Sequence, residues 1–300
     1  MSQPPVRTIA FIGLGHMGLP MARRLLAAGY SVRGFDLSSE ARAAITQAGG
    51  LACASAAAAA AGANDVITML PSGATVRAAL LGDNGALATL AQNSLVIDMS
   101  SSAPTDTVAL HDELRGRGYR LVDAPVSGGV RRAIDGTLTI MAGGAAADVV
   151  NARPMLETMG TKIFSTGGPG SGHAMKALNN FVSAAGAVAA MEAVIVGCRF
   201  GLDAETMVDI LNVSTGRNNT TETKMKQFVL SETWGSGFAL ALMAKDVGIA
   251  AGLSRALDLE TPMLASAALL WSKAAQVLGS GADHTEIMRF LQSHTRTVDG

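Results

Sequence analysis

Short runs of apolar and β-branched residues alternate with alanine-rich amphipathic stretches over the first half of the chain. The pattern predicts a strand at 8–12, a helix at 17–28, a strand at 31–35 and a helix at 39–48. Such alternation is typical of βαβ units, which build a parallel sheet with helices on both faces. Further strands are predicted at 65–69, 95–98, 120–124, 137–142 and 162–165. Further helices are predicted at 54–63, 75–80, 104–117 and 145–159.

The pattern changes after the glycine-rich run 167–172, where the β-branched alternation stops. We therefore expect an α/β fold class: a Rossmann-type doubly wound N-terminal domain, 1–166, and an all-α C-terminal domain, 167–300, joined through a long helix. Standing alone, the second domain would expose large apolar helix faces, so we expect a homodimer or homotetramer. Its helices are predicted at 173–199, 203–213, 238–257, 262–278 and 285–294.

Composition limits the classes of partner. Hydrophobic residues make up 49% of the 300 residues and charged residues 16%, enough apolar material for two cores. With 23 Lys and Arg against 24 Asp and Glu, the formal net charge is −1, and we expect neither nucleic acid nor a membrane as a partner. The two cysteines, Cys53 and Cys198, and an N-terminus without an apolar signal predict a cytoplasmic protein.

A glycine loop, Gly13-Leu14-Gly15-His16-Met17-Gly18, joins the first predicted strand to the first helix. In this context Gly13 permits the tight turn, Gly15 lets the backbone approach a pyrophosphate, and Gly18 lets helix and strand touch. The N-terminus of the helix presents unpaired N–H groups to the anion. The loop, with Leu14, His16 and Met17, is therefore predicted to bind a dinucleotide.

Asp36, at the end of the second predicted strand, indicates which dinucleotide is bound. It follows Gly18 at the spacing of the ribose-binding acid in such folds, where a carboxylate accepts hydrogen bonds from the ribose hydroxyls and repels a 2′-phosphate. The next residues, 37–39, offer no arginine to a phosphate, so we predict NAD rather than NADP. Leu70 and Pro71, after the strand predicted at 65–69, are further candidate cofactor contacts.

Ser127, Gly128 and Gly129 follow the strand that ends near residue 124, at the sheet edge where open α/β folds bind ligands. A hydroxyl and two unobstructed backbone N–H groups suit a small carboxylate. The alternative is an ordinary glycine turn.

Lys176 and Asn180 lie one turn apart on the long predicted helix, with Asn179 beside them. They are polar exceptions in an apolar stretch, and a neutral lysine can accept the proton of an alcohol as hydride leaves. A solvated lysine at a helix start is the alternative. The histidines form no ligand pair at helical spacing, so we expect no metal.

Four separated motifs resemble the β-hydroxyacid dehydrogenase family, in the same order and over nearly the whole chain. They are the runs 11–18, 123–129 and 167–180, and the pair Lys245-Asp246. The resemblance implies that Ser127, Gly128 and Gly129 bind a substrate carboxylate, that Lys176 is catalytic and that Asn180 positions the substrate. It also implies that Lys245 lies near the nicotinamide, as does Ser101, which stands where the family usually carries threonine.

The activity that this resemblance implies is NAD-dependent oxidation of a small β-hydroxy acid, with 3-hydroxyisobutyrate as the leading substrate. Tartronate semialdehyde, succinic semialdehyde and threonate remain open, because discrimination of one methyl or hydroxyl group is worth only about 1–3 kcal/mol. An imine reductase and a non-catalytic NAD-binding module are also compatible with this fold. Lys176 argues against both, because relatives of those types usually replace the lysine.

Overall fold

The computed structural model describes residues 6–294, and the chain divides into two compact units between Lys176 and Ala177. The first unit contains a nine-stranded sheet, and the second consists almost entirely of helices. The predicted fold class is confirmed, whereas the domain boundary near residue 166 stays a prediction.

The strands of the first unit lie in the order β3-β2-β1-β4-β5-β6-β8-β7, with β9 paired to β8. Pairing from β3 to β6 is parallel, and β8 is antiparallel to both β6 and β7. The strand order reverses between β1 and β4, which is where doubly wound sheets bind ligands. The strands are β1 Thr8–Ile12, β2 Ser31–Phe35, β3 Leu51–Ala52, β4 Asp65–Thr68, β5 Leu95–Asp98, β6 Arg120–Asp123, β7 Val126–Ser127, β8 Leu138–Gly143 and β9 Gly160–Gly167.

Alternate side chains of the central strands enter two separate cores, one on each face of the sheet. Ile9 and Phe11 belong to one apolar cluster, and Ala10 and Ile12 belong to the other. Burial on both faces explains why these strands read as continuous apolar runs. The helices of the first unit are α1 Gly18–Ala27, α2 Ser39–Gln47, α3 Ala56–Ala60, α4 Gly73–Leu81, a 3-10 turn Ala86–Ala88, α5 Pro104–Gly116, α6 Gly129–Asp135 and α7 Ala146–Met159.

Three short elements were not predicted from the sequence: β3, β7 and α6, with two, two and seven residues. The pattern of so few residues carries no resolvable period. The helix predicted at 54–63 is longer than the observed α3. Helix α3 begins after its cap at Ser55, whose Oγ accepts from the Ala58 N–H at 3.0 Å.

Helix α8, Ser171–Phe200, begins in the first unit and continues into the second. The core of the second unit surrounds Trp271, which is fully buried among α8 and its neighbours. The unpredicted α10 begins at a polar capping box formed by Asn218 and Thr221 rather than at an apolar pattern. The other elements are α9 Ala204–Val213, α10 Asn219–Thr223, a π-helix Met225–Leu230, α11 Leu240–Ala256, α12 Pro262–Leu278, a 3-10 turn His284–Glu286 and α13 Ile287–His294.

By length and composition, α8 is apolar enough to cross a membrane, with a mean hydropathy of 1.9 in its most apolar window. The core helix of a soluble protein meets the same criteria. The side chains of Ala184, Ala187, Met191 and Val194 lie in the core of the second unit. This helix is therefore weak evidence for a membrane span.

Candidate active site

The glycine loop between β1 and α1 is tightly packed at its first and last glycines and has free space at the middle one. A Cβ atom at Gly13, where φ is +96°, would overlap the carbonyl of Met69, and one at Gly18 would overlap the carbonyl of Gly13. At Gly15, nothing lies within 4 Å of the Cβ position. No side chain caps the N-terminus of α1. The loop therefore leaves room, and backbone N–H groups, for a pyrophosphate.

Asp36 directly follows β2, and its carboxylate holds the loop from the other side. Oδ2 accepts from the Leu14 N–H at 2.7 Å, and Oδ1 accepts from the Ser38 N–H at 2.9 Å. These bonds fix the carboxylate next to the glycine loop, where it can still accept hydrogen bonds from ribose hydroxyls. The site therefore fits a dinucleotide.

An arginine, Arg42, lies close to Asp36, although residues 37–39 contain none. Nη1 of Arg42 donates to the carbonyls of Asp36 and Leu37 at 2.7 and 3.0 Å. Arg42 lies on the first turn of α2. The helical geometry brings its guanidinium back to the residues that follow β2, which the order of residues in the sequence does not reveal.

The loops after β4 and β5 are tied together by a buried aspartate, Asp98. Its Oδ1 accepts from the hydroxyl of Thr68 at 2.9 Å and from the Ser100 N–H at 3.0 Å. Ser100 Oγ in turn accepts from the Leu70 N–H at 2.9 Å. The two loops carrying the candidate cofactor residues Leu70, Pro71 and Ser101 are thus joined, through Asp98 and Ser100, which the sequence analysis did not single out.

Ser127 is a strand residue rather than part of a simple glycine turn. Strand β7 pairs with β8 in the same register as β6 does, so β7 prolongs the line of β6 past the interruption at Ala124 and Pro125. Gly128 and Gly129 follow with φ values of +135° and +69°, which favour glycine. The hydroxyl and the two glycines therefore lie beyond the carboxyl end of β6, as predicted.

Lys176 is partly buried on the second turn of α8, in the first unit. The sequence places it one turn before Asn180 on the same helix.

In the second unit, four polar residues form one hydrogen-bonded and ionic cluster. Asn180 Nδ2 donates to Asp246 Oδ2 at 2.6 Å, and Asn179 Nδ2 donates to Asn180 Oδ1 at 3.2 Å. Lys245 Nζ lies 3.2 Å from Asp246 Oδ1, although the geometry is not that of a hydrogen bond. The structure thus joins Lys245 to the two asparagines through Asp246, which is buried.

Two family models match the chain, one in each half. Residues 8–168 match the family described as the NAD binding domain of 6-phosphogluconate dehydrogenase. Residues 170–291 match the family described as NAD-binding of NADP-dependent 3-hydroxyisobutyrate dehydrogenase.

Individual proteins resemble nearly the whole chain. It is 41% identical over 264 residues to the NAD-dependent L-serine dehydrogenase of Pseudomonas aeruginosa, covering 86% of this chain and 89% of that protein. It is 39% identical over 292 residues to 3-hydroxyisobutyrate dehydrogenase of the same organism, covering 95% and 98%. The structure of Mycobacterium tuberculosis 3-hydroxyisobutyrate dehydrogenase with L-serine has a TM-score of 0.89 at 35% identity, covering 96% of this chain and 99% of that chain.

These matches confirm NAD as the cofactor and an NAD-dependent oxidoreductase acting on a CH–OH group as the type of enzyme. The roles of individual site residues stay predictions. The resemblance carried by the four sequence motifs is confirmed, and the chain belongs to the β-hydroxyacid dehydrogenase family that includes 3-hydroxyisobutyrate dehydrogenase.

Proposed function

We propose that this enzyme oxidises 3-hydroxyisobutyrate to its semialdehyde, with Lys176 as the general base. The observation that carries the proposal is the partly buried lysine on the second turn of α8, because a module that only binds NAD needs no amine there. NAD, when bound, accepts the hydride at C4 of its nicotinamide. The neutral Lys176 amine takes the hydroxyl proton as the carbonyl forms.

The acid group of the substrate is assigned to Ser127, Gly128 and Gly129. The Ser127 hydroxyl and the N–H groups of two glycines in the left-handed region can all donate to a carboxylate. Nothing lies within 4 Å of the Cβ position of Gly129, so a small anion can approach the backbone there. Asn179 and Asn180 are assigned to the rest of the substrate.

Leu70, Pro71, Ser101 and Lys245 are assigned to the nicotinamide end of the cofactor. Support for the first three comes from their position on loops at the carboxyl ends of β4 and β5, next to the switch point of the sheet. Lys245 is supported by its motif alone.

L-Serine is a second candidate substrate, favoured by the similar Pseudomonas aeruginosa L-serine dehydrogenase. It shares the HOCH₂–CH–COO⁻ frame with 3-hydroxyisobutyrate and carries an ammonium group in place of the methyl group. The reacting carbinol and the carboxylate occupy equivalent positions in both molecules. The same roles of Lys176 and Ser127 therefore serve either substrate.

NADH formation by the purified protein tests the proposal. Among 3-hydroxyisobutyrate, L-serine, glycerate (the alcohol form of tartronate semialdehyde), 4-hydroxybutyrate and threonate, we expect the highest kcat/KM for 3-hydroxyisobutyrate. We expect no turnover of the methyl ester of 3-hydroxyisobutyrate. A margin of about 10- to 200-fold over a substrate differing in one small group is what a pocket supplies. A higher kcat/KM for L-serine would make L-serine the proposed substrate and leave the proposed roles of Lys176 and Ser127 unchanged. If none of these hydroxy acids yields NADH, the proposed oxidation of 3-hydroxyisobutyrate is wrong.

We propose a cytoplasmic location and assign residues 1–166 to the cofactor and 167–300 to substrate and subunit contacts. Among the described residues both cysteines are free, with Cys198 exposed, as is usual in a reducing compartment. The protein is proposed to act on a small molecule, without a nucleic acid or membrane partner.

We expect a homodimer or homotetramer in solution. In the second unit, Val182, Val196, Phe200 and Val213 are 66%, 67%, 86% and 87% exposed, and exposed apolar side chains in such number favour association. Light scattering should give a mass of two or four times 30.5 kDa at micromolar concentration. Replacing Phe200 and Val196 with aspartate should shift the mass toward the monomer. A wild-type mass of 30.5 kDa would contradict the expectation.

A further inference from the structure

A buried histidine, His173, lies on the first turn of α8, within the first unit, and its side chain is fully buried. Its Nε2 lies 3.1 Å from the carbonyl oxygen of Ser100, and its Nδ1 lies 2.8 Å from Oγ1 of Thr107 on α5. A carbonyl oxygen can only accept, so Nε2 carries a proton and donates. One imidazole therefore bridges α8, the loop after β5, and α5.

Two buried aspartates surround this ring without bonding directly to it. Asp98 Oδ2 lies 3.7 Å from Nε2, and Asp123 Oδ2 lies 3.8 Å from Nδ1. Asp123 instead accepts from the backbone N–H groups of Gly170 and His173 at 2.8 and 2.9 Å. Asp98 holds the loop after β5 through the Ser100 N–H. Asp123, at the end of β6, thus holds the residues that lead into α8. Asp98, at the end of β5, holds the loop after β5, which carries Ser101.

Close packing leaves the first turn of α8 little room to move. A Cβ atom at Gly172 would overlap the carbonyl of Met141 on β8 and lie 2.8 Å from the carbonyl oxygen of Asp123. A Cβ atom at Gly143 would lie 2.6 Å from Ser171 Oγ and 2.8 Å from the Gly172 nitrogen. Because the helix start rests directly on the strand backbones, a shift of this turn must displace the sheet or break the His173 contacts.

The histidine connects the proposed base to the loops that carry the cofactor candidates. Lys176 lies three residues after His173, on the adjoining turn of the same helix. Ser100, whose carbonyl accepts from the ring, precedes Ser101, and its hydroxyl accepts from the Leu70 N–H. One hydrogen-bond path from α8 to both loops therefore passes through the imidazole Nε2–H.

We propose that His173 is a positioning residue that keeps Lys176 in register with the nicotinamide loops through the bond from Nε2 to the Ser100 carbonyl. The inference rests on the proposed role of Lys176 as the base. A positional error of about 1 Å between reacting groups costs on the order of 100-fold in rate, so a small displacement of this turn is sufficient to matter. A histidine that merely fills the core has no such effect on kcat.

The two ring nitrogens can be tested separately by amide substitutions. His173→Gln places an amide near Nε2 and retains the bond to Ser100, whereas His173→Asn places one near Nδ1 and retains only the contact with Thr107. We expect His173→Gln to keep kcat within about 3-fold. We expect His173→Asn and His173→Ala to lower kcat by about 10- to 100-fold. The NADH dissociation constant, measured by fluorescence titration, should stay within about 3-fold, because the phosphate and ribose contacts are distant in sequence and untouched.

Hydrogen exchange gives a readout that does not depend on turnover. In the Asn and Ala variants, peptides covering 99–103 and 168–176 should exchange faster together, and in the Gln variant they should match the wild type. Equal effects of Gln and Asn on kcat would overturn the inference, because core packing alone makes no distinction between the two nitrogens. Unchanged exchange in the Asn variant would also overturn it.

Three further variants separate the possible outcomes. If the Asn and Ala variants do not fold, Thr107→Val leaves the Ser100 bond in place and should keep kcat within about 3-fold, and a loss above about 10-fold would overturn the inference. His111→Gln changes a histidine of α5 outside this network and should leave kcat unchanged. Lys176→Ala is measured alongside: if it stays active, the proposed function fails, whereas an inactive Lys176→Ala with a fully active His173→Asn removes only the role of His173.

Discussion

Replacing Lys176 with alanine should lower kcat for alcohol oxidation by about 10²- to 10⁴-fold, the usual contribution of general acid–base catalysis. The expected loss follows from the removal of the proposed base, the amine assigned to accept the hydroxyl proton. Lys176→Arg should fare little better, because a guanidinium stays protonated and cannot act as a base. Both values come from initial rates of NADH formation at saturating NAD and hydroxy acid.

A matched control separates the loss of a base from the loss of a lysine. Lys162 is exposed on β9 of the same unit, so Lys162→Ala removes the same side chain away from the helix and should keep kcat. The NADH dissociation constant of the Lys176→Ala variant should stay near the wild-type value, because the glycine loop and Asp36 are unchanged. A Lys176→Ala variant that keeps more than about a tenth of wild-type kcat contradicts the assignment.

Asp36 should make NAD the better cofactor, and its removal should cost about 10- to 100-fold in kcat/KM for NAD. Hydrogen bonds to a charged group contribute about 1.5–3 kcal/mol, and 1.4 kcal/mol corresponds to a factor of ten. Part of the loss comes from the loop itself, since Asp36 also accepts from the Leu14 N–H. Asp36→Asn keeps an acceptor for that bond, so the difference between the Ala and Asn variants isolates the loop contribution.

We expect Arg42 to determine how much kcat/KM for NADP increases when the Asp36 carboxylate is removed. Its guanidinium lies on the carbonyls of Asp36 and Leu37, close to where a 2′-phosphate would attach. Asp36→Asn should therefore raise kcat/KM for NADP, and the double variant with Arg42→Ala should raise it less. The ratio of kcat/KM for the two cofactors measures both effects. A wild-type enzyme that uses NADP as well as NAD overturns the role of Asp36.

This prediction bears on the matched family described as NADP-dependent. That match covers residues 170–291, whereas the predicted ribose-binding residue, Asp36, lies in the first unit, directly after β2. Cofactor choice is set by the charge at that strand end, where this chain has an aspartate. We therefore expect NAD despite the description of the second match.

Most of the fold could be predicted from local sequence patterns. A run of apolar side chains, or glycines at fixed spacing, marks each of the predicted elements β1, β2, β4, β5, β6 and the glycine loop. Strand β7 was not predicted, because two residues carry no period, and its identity depends on pairing with β8. The capping box at Asn218 begins a helix that no apolar stripe marks.

The residues of the candidate site also differ in whether local sequence could identify them. Gly13, Asp36 and Lys176 could be named because motifs hold them at fixed spacing. His173 could not, because the groups that surround it, from Ser100 to Asp123, lie 50 or more residues away in the sequence. A signal was nevertheless present, since an aspartate ends each of the neighbouring strands β5 and β6.

The shared register of β6 and β7 along β8 limits how this segment of the chain can diversify. Ser127 faces its present side of the sheet because the number of residues from Asp123 to Ser127 matches the pleat of β8. Inserting or deleting one residue at Ala124 or Pro125 would turn Ser127 to the opposite face, because strand side chains alternate with a period of two. Natural variants of this enzyme can therefore change the side chains around Ser127, the proposed acid-binding residue, but the length of the segment between the two strands is constrained.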